Sequence, residues 1–233
     1  ARPSSTNAHT DAWVTAHCSL GPDGRKAVCC EQLAFRTHGY SPARLTNLLF
    51  ANLDSDLPLV LWWQASLAQH FDQRLYTLID RLIIDSLTWQ DPKRELEYLL
   101  AACADRTQHF VIHDLNWTRT FHLRLAIAAG FEDPRALLAL RSLKGIEITH
   151  APGFKATANL LGAWLLERLQ SPEPPTIIFQ EASSRQAITR VVFKTEDQPL
   201  IIEACDRIRC VSISILFDLY HRFQQTSIAL QFG

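Results

Sequence analysis

Apolar and polar positions change period along this chain, and the changes mark out its elements. Val28 to Thr37 nearly alternates apolar and polar residues after Gly21-Pro22-Asp23-Gly24, which predicts a strand following a turn. Residues 42 to 53 carry apolar side chains at helical spacing, with Ser41 placed to cap and Pro42 at the first helical position. Leu59-Val60-Leu61-Trp62-Trp63 is apolar at every position, which predicts an interior strand of a parallel sheet. Then follow a short helix over 69–78, a strand over 81–85, and a helix over 92–104 with Asp91 as its cap. A strand over 110–113 leads to a helix over 117–129 ended by Gly130, and Asp133-Pro134 opens another helix running to Leu143. Strand starts near 59, 81 and 109 leave room for βαβ crossovers. Residues 1–145 are therefore expected to form a three-layer, Rossmann-like α/β domain with a mainly parallel sheet, its first 12 residues a flexible lead-in.

After Gly145 the pattern changes. Residues 146–149 read as a strand and 154–169 as an apolar-striped helix, and Ser171-Pro172-Glu173-Pro174-Pro175 then breaks the chain. Runs at 176–181, 187–195, 199–205 and 209–217 look like strands with no helix between them. Residues 146–233 are expected to be an α+β domain, an antiparallel meander with a helix on one face.

The most informative stretch is the exit of the strand at 110–113 into Asp114, Asn116, Trp117, Thr118 and Arg119. Open α/β sheets present their functional groups at such strand-to-helix corners. Two readings stay open. In one, Asp114 or Asn116 caps the helix and Trp117 fills the core. In the other, Trp117 and Arg119 face a partner, since Trp and Arg are enriched at protein–protein hot spots. Asp85-Ser86 ends the preceding strand in the same way, either lining a cleft or beginning a loop. An α/β enzyme or a small-molecule sensor would use Asp85, Ser86, Asp114 and Arg119. Trp62 and Trp63 are consecutive on a strand and point to opposite faces, so at most one reaches solvent.

The glycines do not assemble Gly-x-Gly-x-x-Gly or a P-loop, and no Gly-x-Ser-x-Gly elbow is present. His109 and His113 would stand roughly 13 Å apart on a strand, too far to share an ion. His17-Cys18 lacks the further ligands that zinc requires. No cofactor, metal or catalytic residue is expected from these patterns. With 23 Lys and Arg against 24 Asp and Glu, no global field attracts nucleic acid or an anionic membrane. The longest apolar run, Leu57 to Trp63, contains Pro58 and falls far short of the roughly 20 residues of a membrane-spanning helix. Residues 1–12 are small, polar and charged rather than a secretory signal. The chain reads as soluble and cytoplasmic and, starting at Ala1 with no Met, as a piece of a longer protein.

Six cysteines are too few for a secreted disulfide scaffold of this size. Cys103 sits in a helical apolar pattern and reads as a small core residue. Cys29 and Cys30 are adjacent on a strand and point apart. Cys205 and Cys210 flank Asp206-Arg207-Ile208-Arg209 between two strand-like runs. A tight hairpin there would set the two opposite each other within reach of a disulfide. Two buried thiols on a strand pair is the equal alternative.

Leu57-Pro58-Leu59-Val60-Leu61-Trp62-Trp63, Arg81-Leu82-Ile83-Ile84-Asp85-Ser86 and Asp114-Leu115-Asn116-Trp117-Thr118-Arg119, in that order, resemble the glucose-6-phosphate dehydrogenase assembly protein family, OpcA. His17-Cys18-Ser19-Leu20 and Cys29-Cys30-Glu31 fit the same pattern. The resemblance implies a non-catalytic partner that binds glucose-6-phosphate dehydrogenase and promotes its active oligomer. It also implies thiol redox control, which would give Cys205 and Cys210 a purpose and make thioredoxin a second partner. Trp62, Trp63, Asp114, Asn116, Trp117 and Arg119 are then the candidate partner-binding residues.

Overall fold

In the computed structural model, which describes residues 9–38, 47–48, 50–52, 58–105, 110–196, 199–204 and 211–215, the chain begins with a long antiparallel ribbon. Among the described residues, strands β1 (His9–Leu20) and β2 (Lys26–His38) pair only with each other, with a bulge between Ser19 and Leu20. The ribbon turns at Gly21-Pro22-Asp23-Gly24, where Gly24 takes φ 74°, a left-handed conformation that favours glycine. Residues 9–12 were expected to be a flexible lead-in and instead start β1. Their alternation of small and polar residues carries little apolar signal, and it is the pairing with β2 that orders them. Most of the helix expected over 42–53 lies outside the described residues, as do His109, Cys205 and Cys210.

The next unit is a parallel three-stranded sheet, β3 (Val60–Trp62), β4 (Arg81–Ile84) and β5 (Val111–Asp114), in that spatial order. Helix α1 (Leu67–His70) and a 3-10 turn (Gln73–Thr77) connect β3 to β4, and α2 (Pro92–Ala104) connects β4 to β5. One sheet face and these helices enclose a core of Leu67, Phe71, Leu75, Tyr76, Leu82, Ile84 and Leu99, joined by Leu61, Trp63 and Ile112. Helix α2 spans the expected residues, because Asp91 accepts from the Arg94 amide and Pro92 stands at its start. Cys103 is exposed on α2, not in the core, since the buried stripe of that helix runs through Glu95, Leu99 and Ala102.

After β5 the expected single helix is two. Helix α3 (Leu115–Arg119) ends at Thr120, and α4 (Phe121–Gly130) begins there. The Trp117 carbonyl, which would accept the next helical amide, takes the Thr120 N–H and hydroxyl and the Arg124 guanidinium instead. Helix α5 (Pro134–Ala139), capped by Asp133, continues into a 3-10 turn (Leu140–Ser142).

The last sheet is mixed. Strand β6 (Gly145–His150), helix α6 (Lys155–Leu169) and strand β7 (Thr176–Glu181) form a βαβ unit in which β7 runs parallel to β6. Strands β8 (Ile188–Lys194), β9 (Leu200–Ala204) and β10 (Val211–Ile215) complete the order β10-β9-β8-β6-β7. The expected four-strand meander is therefore corrected. Among the described residues only β8, β9 and β10 meander, because α6 returns the chain so that β7 joins one side of β6 in parallel, leaving the other side to β8. Its core unites Ile146, Ile148, Leu161, Val191, Phe193 and Ile202 with Leu123 and Ile127 of α4. The described residues form a mixed α/β fold with an antiparallel two-stranded ribbon, one parallel sheet and one mixed sheet.

Candidate functional site

The carboxyl ends of β4 and β5 carry the sequence's candidate residues, and the chain arranges them as a polar seam. Asp85 leaves β4, caps the 3-10 turn Ser86–Thr88 through the Leu87 amide, and takes a two-pronged ion pair from Arg119, both contacts at 2.6 Å. Asp114, at the end of β5, caps α3 through the Asn116 amide at 2.9 Å. Its other contacts reach across to β4: the Ser86 amide donates at 3.0 Å and the Ser86 hydroxyl at 2.6 Å. Asn116 is fully enclosed, donates to Ser86 Oγ at 3.0 Å and accepts from Thr157 Oγ1 of α6 at 2.5 Å. Thr157 is equally enclosed. The seam thus runs from the parallel sheet to the helix that packs on the mixed sheet.

Of the two readings of this corner, capping falls to Asp114 rather than Asn116. Asn116 is an interior link, so its side chain offers no surface to a partner. Trp117 is half-buried and lies beneath the Arg124 guanidinium, which stands 3.4 Å from the ring centre and also 6.0 Å from Trp164 of α6. Burial lowers the Arg124 pKa from its ordinary value. Stacking a cation on an indole offsets part of that desolvation. Arg124 escaped the sequence reading because an arginine within a helical stripe gives no sign of what its head group meets.

Arg119, through its hydrogen bonds, holds the Asp85 carboxyl below the usual carboxylate range, although partial burial opposes this. The same pairing raises Arg119. A carboxylate depressed in the folded state adds stability above its unfolded pKa of about 3.9 and loses it as pH falls through the folded value. Asp85→Asn is expected to cost about 1 kcal/mol at pH 7, since Arg119 is partly exposed and solvent screens the pair. In urea titrations the gap between parent and variant should close in strong acid; a pH-independent gap would count against the pair.

Trp62 ends β3 and Trp63 follows it, and the two divide as alternation requires. Trp63 packs against the core beside Phe71, with ring centres 5.0 Å apart, whereas Trp62 is 59% exposed. Trp62 belongs to an open face of the parallel sheet, where the register sets Val60, Arg81 and Val111 in one row and Trp62, Ile83 and His113 in the next. Val60 and Val111 are each about half exposed, at 50% and 52%. Arg81 Nη1 lies 3.2 Å from His113 Nε2 in the same face.

One cluster had no sequence signal. His9, Asp11 and His38 come together at the open end of the ribbon, although His9 and His38 are far apart in the chain. Strand pairing makes them neighbours, and spacing alone could not reveal it.

These features define an α/β scaffold in which the polar groups at the sheet's carboxyl end bind one another and in which, among the described residues, Trp62, Val60 and Val111 are exposed on a sheet face that they share with Arg81 and His113. Residues 2–101 match the family model described as the glucose-6-phosphate dehydrogenase subunit N-terminal domain, and residues 111–227 match that described as its C-terminal domain. The chain belongs to this OpcA family of glucose-6-phosphate dehydrogenase assembly proteins. A comparison with curated proteins finds no match. Among the described residues, no helix is long and apolar enough to cross a membrane.

Proposed function

We propose that this protein is a non-catalytic assembly factor and allosteric activator that binds glucose-6-phosphate dehydrogenase and promotes its active oligomer. The match of both family models, end to end along the chain, carries the reading. An activator of this kind binds the active conformation more tightly than the inactive one and shifts the population between them. The open face of β3, β4 and β5 supports a docking role, because parallel sheets are ordinarily covered on both faces. Trp62 is its natural anchor. Arg119, Trp117 and Asp114 then act from behind by fixing the strand ends, and Trp63 by seating β3 on the core. The mutual satisfaction of Asp85 with Arg119 and of Asp114 with Ser86 favours this over an enzyme or a metabolite sensor using the same residues.

Redox control through Cys205 and Cys210, with thioredoxin as reductant, is part of the proposal. One titration tests all of it, with dehydrogenase activity and oligomer mass followed as the protein is added, reduced or mildly oxidised. Activation with a gain in oligomer mass is expected. Trp62→Ala should weaken the complex by about 2 kcal/mol, roughly 30-fold. The difference between redox states should vanish in Cys205→Ser/Cys210→Ser. An unchanged KM, kcat and oligomeric state would overturn the activator reading; identical behaviour of both redox forms would overturn the switch alone.

A further inference from the structure

We propose that His9, Asp11 and His38 form a binding site for a divalent late first-row metal ion, Zn2+ foremost, that clips the open end of the β1–β2 ribbon. The placement follows from the backbone. Side chains two apart on a strand share a face, so His9 and Asp11 stand side by side. The antiparallel register sets His38 directly opposite His9 on that face. The two imidazoles are stacked with centres 4.6 Å apart and planes 15° from parallel. One ligand atom from each of the three residues falls within 4.8 Å of the other two.

Two imidazoles and a carboxylate are a donor set suited to zinc, with a fourth position left to water. Ligand atoms around a tetrahedral zinc lie about 3.3 Å apart, as its bonds of about 2.0–2.1 Å require. The side chains must therefore close by about 1.5 Å at most, which rotation of exposed groups allows. Arg36 stands opposite Asp11, but its guanidinium lies over the Trp13 ring, 5.6 Å from the centre, rather than across the ligand cluster.

The ribbon gives the ion a structural purpose. A strand of this length reaches roughly 35–40 Å, and among the described residues β1 and β2 hydrogen-bond to no other strand. Trp13 and Val14 point to opposite faces and are 46% and 64% exposed, so neither face is well covered there. Two-stranded ribbons are marginal in water by themselves. An ion held by both strands at the end away from the turn binds only the paired form and so stabilises it.

The ribbon also carries thiols near its turn, where Cys18 is registered opposite Cys29 and His17 opposite Cys30. The test must therefore separate the two ends. Calorimetric titration of the full chain with ZnCl2 is expected to show binding that persists in Cys18→Ser/Cys29→Ser/Cys30→Ser and weakens by roughly 100-fold or more in His9→Gln/His38→Gln. Cobalt substitution of the unmodified chain decides the same point without relying on any variant. A visible spectrum lacking thiolate-to-cobalt charge transfer is expected, and amide exchange across β1 and β2 should slow on loading. Absence of binding would overturn the proposal. So would unchanged affinity in the histidine variant, or a thiolate band that the cysteine substitutions abolish together with binding.

Discussion

Glu95→Ala is expected to lower the unfolding free energy by about 3–5 kcal/mol. Glu95 lies in the first turn of α2 yet is only 4% exposed, because it faces the start of α1. One carboxyl oxygen accepts from Ser66 Oγ at 2.5 Å, and the other accepts from the Leu67 and Ala68 amides at 2.8 and 3.2 Å. A helix as short as Leu67–His70 cannot hold itself together by its own hydrogen bonds. The carboxylate supplies what it lacks, satisfying orphan amides and placing a negative charge at the positive end of its dipole. Alanine removes all three bonds and leaves the buried Leu67 amide, and the part-buried Ser66 hydroxyl and Ala68 amide, without this acceptor. Its better helix propensity returns only a few tenths of a kcal/mol to α2. Glu95→Gln should be intermediate, at about 2–3 kcal/mol, because the amide keeps one acceptor and sets its NH2 against the other donors. Urea unfolding measures both; a loss below about 1 kcal/mol for the alanine variant would mean the clamp does not hold α1.

Glu95 also shows where the sequence was readable and where it was not. Helix α2 declared its ends through Asp91 and Pro92, which are local signals, and the structure places them there. Nothing local distinguishes Glu95 from Glu97, since burial of the former depends on Ser66, far back in the chain. The strands of the parallel sheet were legible as apolar runs, and their crossover spacing foretold parallel pairing. Strand β7 was legible as a strand but not in its partner, because periodicity marks a strand and says nothing of which neighbour it joins. Strand β1 was missed for the opposite reason. Its residues between His9 and Ala16 are mostly small or polar, and the register with β2 makes them a strand.

The candidate corner shows the same division. Asp114 as a cap and Arg119 near Asp85 follow from short-range geometry at the ends of adjacent strands. Asn116 looked like an alternative cap because Asn is a good capping residue. Its enclosure and its bond to Thr157 come from the packing of α3 against α6, elements separated by two helices and a strand. Interior polar links of this kind leave no pattern in the sequence; a single Asn and a single Thr become a pair only after folding.

That pair supports the second large prediction. Asn116→Ala is expected to cost about 2–4 kcal/mol, for it removes two buried hydrogen bonds and leaves both the Thr157 and the Ser86 hydroxyls short of a partner. Thr157→Val keeps the shape and removes one donor, so about 1–2 kcal/mol is expected. If the Asn116–Thr157 bond links the two halves, the double variant should lose at least about 0.5 kcal/mol less than the sum of the single losses. Additive losses would mean that each side chain matters only to its own side of the seam. Coupling has a consequence for docking. Asn116 bonds to Ser86, and Ser86 bonds to the carboxylate that ends β5. This chain of bonds joins α6 to the carboxyl ends of β4 and β5, in the sheet whose strand β3 carries the proposed docking residue Trp62, and coupling between them is what the double variant measures. Asn116→Ala should for that reason weaken binding of the dehydrogenase at temperatures where the variant is still folded, whereas a stability loss of similar size placed at Glu95 acts through α1. Equal effects of the two variants on the complex, at matched fractions folded, would show that the seam holds the fold without steering the proposed docking face.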